Sequence, residues 1–169
     1  MSQQKYGFFN SSGGDRVYSA TDFATYFGSL VSNGVFNTNA SNLQVTASTG
    51  LSVSVAAGSA WINGYRYENT DVLNLTLTTA NGSNPRIDRV VVRLSMVNRN
   101  ITLNVLTGTA AATPSAPTLT RNSDVYELGI ADILVGKGAV TISGGDITDT
   151  RLNTALCGTV NSLIGAVYE

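Results

Sequence analysis

Two stretches of this 169-residue chain carry residue types that can do chemistry. The first, "DITDTRLNTALCGTV" (146–160), gathers Asp146, Asp149, Arg151 and the only cysteine, Cys157, into fifteen positions. Two carboxylates in such a loop can offer oxygens to a calcium ion, but a competent site supplies six to eight ligands in orderly spacing. The simpler reading is a local Asp149–Arg151 ion pair on a sheet edge, worth little if exposed. The second, "AWINGYRYEN" (60–69), sets Trp61, Tyr65 and Tyr67 on one strand parity. Three such rings could form a platform for stacking on a sugar. The alternative, which the sequence favours, has the tryptophan plugging the core and the tyrosines lining a subunit contact, where amphipathic aromatics are enriched.

Other chemistry has little to draw on. Histidine is absent, which removes the commonest general acid/base and the commonest metal ligand together. A lone cysteine has no internal disulfide partner, and no neighbour in sequence lowers its pKa, so Cys157 is expected to be inert. No phosphate loop, dinucleotide turn, zinc-ligand spacing or nucleophile elbow occurs, so neither a cofactor nor a metal is expected, and no catalytic residue is assigned. Ten basic residues against eleven acidic, net charge −1, provide no field to attract nucleic acid. No apolar run approaches a bilayer span and no signal peptide is visible, so membrane insertion is not expected.

The elements that would position these residues follow from periodicity. Hydrophobic content of 43% is enough for a core, while charged residues make up only 12%. After a polar, glycine-punctuated arm, Phe23, Tyr26, Phe27 and Leu30 fall at i, i+3, i+4 and i+7, which predicts a helix over 21–32 with its aromatic face in the core. Ser19 or Thr21 can cap its start and Asn33-Gly34 its end. From residue 43 the period becomes two. Leu43 and Val45, then Leu51, Val53 and Val55, then Leu73, Leu75 and Leu77 each alternate with polar neighbours. "IDRVVVRLSMV" places Val90, Val92, Leu94 and Met96 inward and Arg89, Arg93 and Ser95 outward. Ile101, Leu103 and Val105 repeat the pattern after "NRN" (98–100), a tight connection that makes 88–97 and 100–107 a hairpin. "VYELGIADILVG" reads as a central strand, and "GTAAATPSAPT" (108–118) as a surface loop. The fold expected is mainly β: an antiparallel β-sandwich with one N-terminal α-helix. Its parts are an N-terminal arm and helix (1–42), the sandwich (43–158) and a C-terminal tail (159–169). In the tail region Leu152, Leu156, Val160 and Ile164, with Leu163 and Val167 beside them, suggest a marginal apolar helix weakened by Gly158 and Gly165.

Four phrases in order carry a resemblance. "YGFFNSSGGDRVYSATDFATYF", "GSAWINGYRYEN", "RIDRVVVRLSMVNRNITLNVLTG" and "YELGIADILVGKGAVTISGGDITDTRLNTALCG" resemble tail-tip and baseplate proteins of siphophages of Gram-positive hosts, from about Tyr6 to Gly158. In particular they are similar to the β-sandwich "shoulder" that fastens receptor-binding proteins to the tail. The resemblance implies a non-enzymatic virion protein, assembled in the bacterial host cytoplasm and located in the phage tail. It implies other tail and baseplate proteins as partners, and a homo-oligomer with a trimer favoured. It also implies that "DTR…CG" is a structural closing segment. Longer relatives continue into a neck and receptor-binding head, whereas eleven residues follow Gly158 here, so the expectation is an attachment module without the sugar-reading head. The alternative from another class is an adhesion module that binds host cell-wall glycan through Trp61, Tyr65 and Tyr67.

Overall fold

A computed structural model describes residues 7–37 and 39–165. The helix forms as α1 (Ala20–Leu30) behind a capping box. The Asp22 amide donates to the Ser19 hydroxyl, and Asp22 accepts the Ser19 amide in return at 2.7 Å. The helix stops at Leu30, three residues before the expected Asn33-Gly34, because Val31 already turns extended. Ten strands follow: β1 (Gly34–Val35), β2 (Val45–Ala47), β3 (Ser52–Val55), β4 (Gly58–Ile62), β5 (Tyr65–Asn69), β6 (Leu73–Thr76), β7 (Arg86–Ser95), β8 (Asn100–Leu106), β9 (Val125–Val135) and β10 (Ile147–Asp149).

The strands form three antiparallel sheets, ordered β10-β9-β7-β8, β1-β4-β5 and β2-β3-β6. One core joins them. Val90, Val92 and Leu94 of β7 and Leu103 of β8 meet Val53 and Val55 of β3 and Ala60 and Ile62 of β4, with Leu128, Ile130 and Ile133 from β9. The chain is therefore an antiparallel β-sandwich with one N-terminal helix, and its inward residues on β7 and β8 are those that alternation picks out. The hairpin pairs Ser95 with Asn100 across a four-residue turn, Met96–Arg99, in which Arg99 takes a left-handed φ of 53°. Met96 falls in that turn and is exposed, so it does not continue the inward row. On β6 and just beyond it the shared leucine face tilts outward: Leu77, after the strand, is buried, Leu75 half-buried and Leu73 exposed.

The expected segments 1–42, 43–158 and 159–169 are stitched together by the backbone. Val35 and Gly34 pair with Ala60 and Trp61. The Val35 amide donates to the Gly158 carbonyl and the Val160 amide to the Val35 carbonyl, at 3.0 and 2.9 Å. Gly34, at φ +152°, lies so close to Gly158 and Thr159 that a Cβ would sit 2.6 Å from their backbone atoms. Residues 152–165 form turns and isolated bridges in place of the expected helix, and Leu152 and Ile164 are exposed. The reason lies in Gly158, whose left-handed φ of +81° breaks the helical run and lets the segment lie along β1. Val167 lies outside the described residues.

Candidate binding groove and closing segment

Trp61, Tyr65 and Tyr67 do not form one platform. Asn63-Gly64 is a two-residue turn between β4 and β5, so Trp61 pairs with Arg66, Ile62 with Tyr65 and Ala60 with Tyr67. Cross-strand partners share a face. Equal numbering parity therefore puts Trp61 on one face and both tyrosines on the other. Trp61 does not plug the core either. It lies half-buried under α1, edge-on to Phe27 and Phe36 with centroids 6.1 and 6.4 Å away, and its buried indole N–H has no hydrogen-bond partner.

Tyr65 and Tyr67 pack against the rim of the core and line a groove of about 710 Å³ between β5 and the β7–β8 turn. Met96 and Ile101 supply its apolar wall, and Arg99 and Asn100 its polar one. Arg66 holds Glu68 at 2.7 Å on the near edge. Arg99 makes no hydrogen bond or ion pair among the described residues and is free to meet an acceptor. Burial pushes the Tyr67 hydroxyl up, so it stays a neutral donor across the physiological range. Such a groove can stack a ring on tyrosine and bond its oxygens through a guanidinium, within the volume range of small-ligand clefts.

The 146–160 stretch is built differently. Asp146 accepts the Ser143 hydroxyl and amide at 2.7 and 2.8 Å, closing a short 3-10 turn, and these bonds hold its carboxyl below the usual range. Asp149 takes a two-pronged bond from Arg151, with Nη2 donating at 2.6 Å and Nε at 3.0 Å, which lowers its pKa. The local pair expected at a sheet edge thus forms at the end of the edge strand β10, but Arg151 is buried, and its Nη1 also donates to the Ala40 and Asn42 carbonyls at 3.0 and 2.7 Å. Arg121 clasps the same stretch from the other side, donating to the carbonyls of Ala155 and Leu156. Cys157 is buried between them, and desolvation pushes its thiol up to about 12. Among the described residues no group of three or more Cys, Asp and Glu side chains is placed to hold a metal.

Sequence reasoning missed a second set of charges. Arg86–Asp88 (2.9 Å), Arg89–Asp132 (2.6 Å) and Arg93–Glu127 (2.6 Å) lie on β7 and β9, and Asp88 and Glu127 are fully buried. Arg89, expected outward, is buried because the segment after β8 folds over that face, while Ser95, also expected outward, is buried at the β7–β8 turn, where it accepts the Asn98 amide. Arg89 donates to the Pro117 carbonyl, Glu127 accepts the Thr120 amide at 2.7 Å, and Asp88 accepts the Gly108 amide at 2.8 Å. The 108–118 loop is thus a cover for the sheet. Alternation showed that Arg89 and Arg93 leave the core face, whereas Arg86 and Asp88 keep the parity of Val90 and lie opposite Val135 and Ile133 at the end of the core; partners up to 43 residues away could not be read locally.

No protein-family model, no curated protein and no solved structure matches this chain.

Proposed function

We propose that the chain is a non-enzymatic structural subunit of a phage tail tip or baseplate, an attachment module that works in host adsorption by packing against other tail proteins. One observation carries this reading: the residues of 146–160 best equipped for chemistry are occupied in fastening segments together. Arg151 bonds Asp149 and two carbonyls of the 40–42 segment, and Cys157 is buried with its thiol held protonated. That is what a closing segment does, and the same residues carry the resemblance to the shoulder domain. Low surface charge fits a subunit that meets neighbours, since charged groups are depleted at interface centres. Among the described residues no helix is long and apolar enough to cross a membrane. Mass spectrometry of purified particles with immunogold labelling tests the proposal. The chain is expected in finished tails, and its absence from them refutes the reading.

A second reading, glycan binding, is favoured by the groove alone. There Tyr65, Tyr67 and the unpaired Arg99 converge, without Trp61. A glycan array with wild-type protein and Arg99→Ala decides it: saccharide binding lost in the variant supports the reading, and no binding by wild type removes it.

A further inference from the structure

We propose that the aromatic face of α1, together with the arm laid across it, is the surface through which copies of this chain dock on one another. The inference rests on the structural-subunit reading and names the face that subunit uses. Helix α1 buries a single residue, Ala24, against the β4–β5 turn, where Gly64 at φ +85° leaves no room for a Cβ beside the Ala24 backbone. Its three rings at i, i+3 and i+4, Phe23, Tyr26 and Phe27, remain 43–47% exposed. An eleven-residue helix is marginal without tertiary packing, and this one spends its bulkiest side chains on solvent.

The arm adds to the face. Phe8 adopts φ 63°, a left-handed conformation unusual for a bulky residue, and so stacks on Tyr18, Phe23 and Tyr26 with centroids 4.9–5.4 Å apart. Phe9 projects beside it, 59% exposed. With aromatic side chains of about 150–250 Å² each, the uncovered parts of these five rings amount to roughly 400–600 Å². That is at the upper end of the largest patch on a typical monomer, and with a polar rim it approaches the roughly 800 Å² that one partner contributes to a stable interface.

Charge selects the occupant. The five rings are neutral, and both signs flank them: Arg16 lies over the Phe9 ring at 5.6 Å beside Asp15, and Asp22 stands in the first turn of α1. A neutral face with a mixed rim does not repel its own copy, and a chain of net charge −1 has little long-range self-repulsion. A lipid surface fits poorly, because an interfacial helix carries Lys or Arg on its polar face and "ATDFATYFGSL" has neither.

The test is multi-angle light scattering of the full chain from low to high micromolar concentration. Wild type is expected to associate reversibly. Phe9→Lys and Tyr26→Lys should each weaken association about 30-fold or more, with unchanged circular dichroism, as loss of an interface anchor does. Val140→Lys, on the exposed β9–β10 connection, should associate like wild type. If the lysine variants misfold, a nitroxide on Thr25→Cys, on the other side of α1, in a Cys157→Ser background reads how closely two copies of the helix approach, with intermolecular dipolar coupling expected. A wild type that stays monomeric, lysine variants that associate at wild-type strength, or an oligomer without coupling at residue 25 overturns the inference. A monomer that is nonetheless found in particles would sink this inference and leave the functional reading standing; an oligomer absent from particles would do the reverse.

Discussion

The outer face of β7 and β9 and the outer face of α1 invert the usual arrangement. On the sheet, Arg89–Asp132 and Arg93–Glu127 lie beneath the segment that follows β8, and Arg86–Asp88 closes the core-side end of β7; Asp88 and Glu127 are fully buried. On the helix, phenylalanine and tyrosine face water. Burying a charge is costly unless it is paired and hydrogen-bonded, and each buried carboxylate here has both an arginine and a backbone amide. The sheet face is self-sufficient, satisfied within one chain. The helix face is not. The difference teaches that polarity alone does not say which surface is finished; saturation of bonds and coverage of area do.

The comparison breaks most easily at its charged side. Arg86 donates to both oxygens of Asp88 and to the Thr78 and Thr79 carbonyls. Arg86→Ala strands a buried carboxylate and is expected to cost about 3–5 kcal/mol in denaturant unfolding. A loss below about 1 kcal/mol would mean that this pair at the end of the core is hydrated.

Next is the clasp. Arg151→Ala leaves two carbonyls without their side-chain donor and Asp149 with only the backbone amide of residue 151, and should cost about 2–3 kcal/mol, less than at Arg86 because Asp149 is half exposed. Asp149 has a lowered pKa when folded, so its contribution is present above the ordinary carboxylate value and is lost as pH falls through the folded one. Acid titration of stability should therefore be shallower in the variant.

Val92, fully buried between these regions, gauges ordinary packing. Val92→Ala is expected to cost about 1–3 kcal/mol by calorimetry or denaturant titration, and a neutral effect would contradict the register of β7.

Cys157 gives a smaller effect with a definite sign. Its thiol is raised to about 12, so stability is unaffected below the free-thiol value near 8.5 and falls as pH rises from there toward 12, while the unfolded chain ionises first. Cys157→Ser should fold normally and lose that alkaline slope; a slope unchanged in the variant would point to another group.

Smallest of all is the helix face in the isolated chain. Tyr26→Ala should shift monomer stability by no more than about 0.5 kcal/mol, which thermal melts at low concentration would show. A large loss there would place the ring inside the monomer's own packing and dissolve the contrast.

Much of the fold was legible because it is local. The change from period 3.6 to period 2 located the helix and the inward rows of β7 and β8. Which side of the helix is down was not, because the buried side is the small one. Ala24 and Gly28, four apart, let α1 settle on the Asn63-Gly64 turn, and big rings draw the eye away from such a stripe. For the candidate site, Asn63-Gly64 was readable as a turn; pairing residues across it would have separated Trp61 from Tyr65 and Tyr67. The groove's far wall comes from the Met96–Arg99 turn, some thirty residues on, and only the folded sheet brings the two together.

The meeting of the two chain segments near residues 30 and 163 has a mechanical consequence. Leu163 donates its amide to the Leu30 carbonyl, Ser32 to Asn161 and Val35 to Gly158, so the bonds run in order from the outer ends inward. Tension applied through the residues before α1 and after Leu163 loads these rungs one at a time, like a zip pulled from its open end, rather than all together in shear. The clasp would part at low force while the sandwich behind it stayed intact, so strain arriving along the chain would be spent there first.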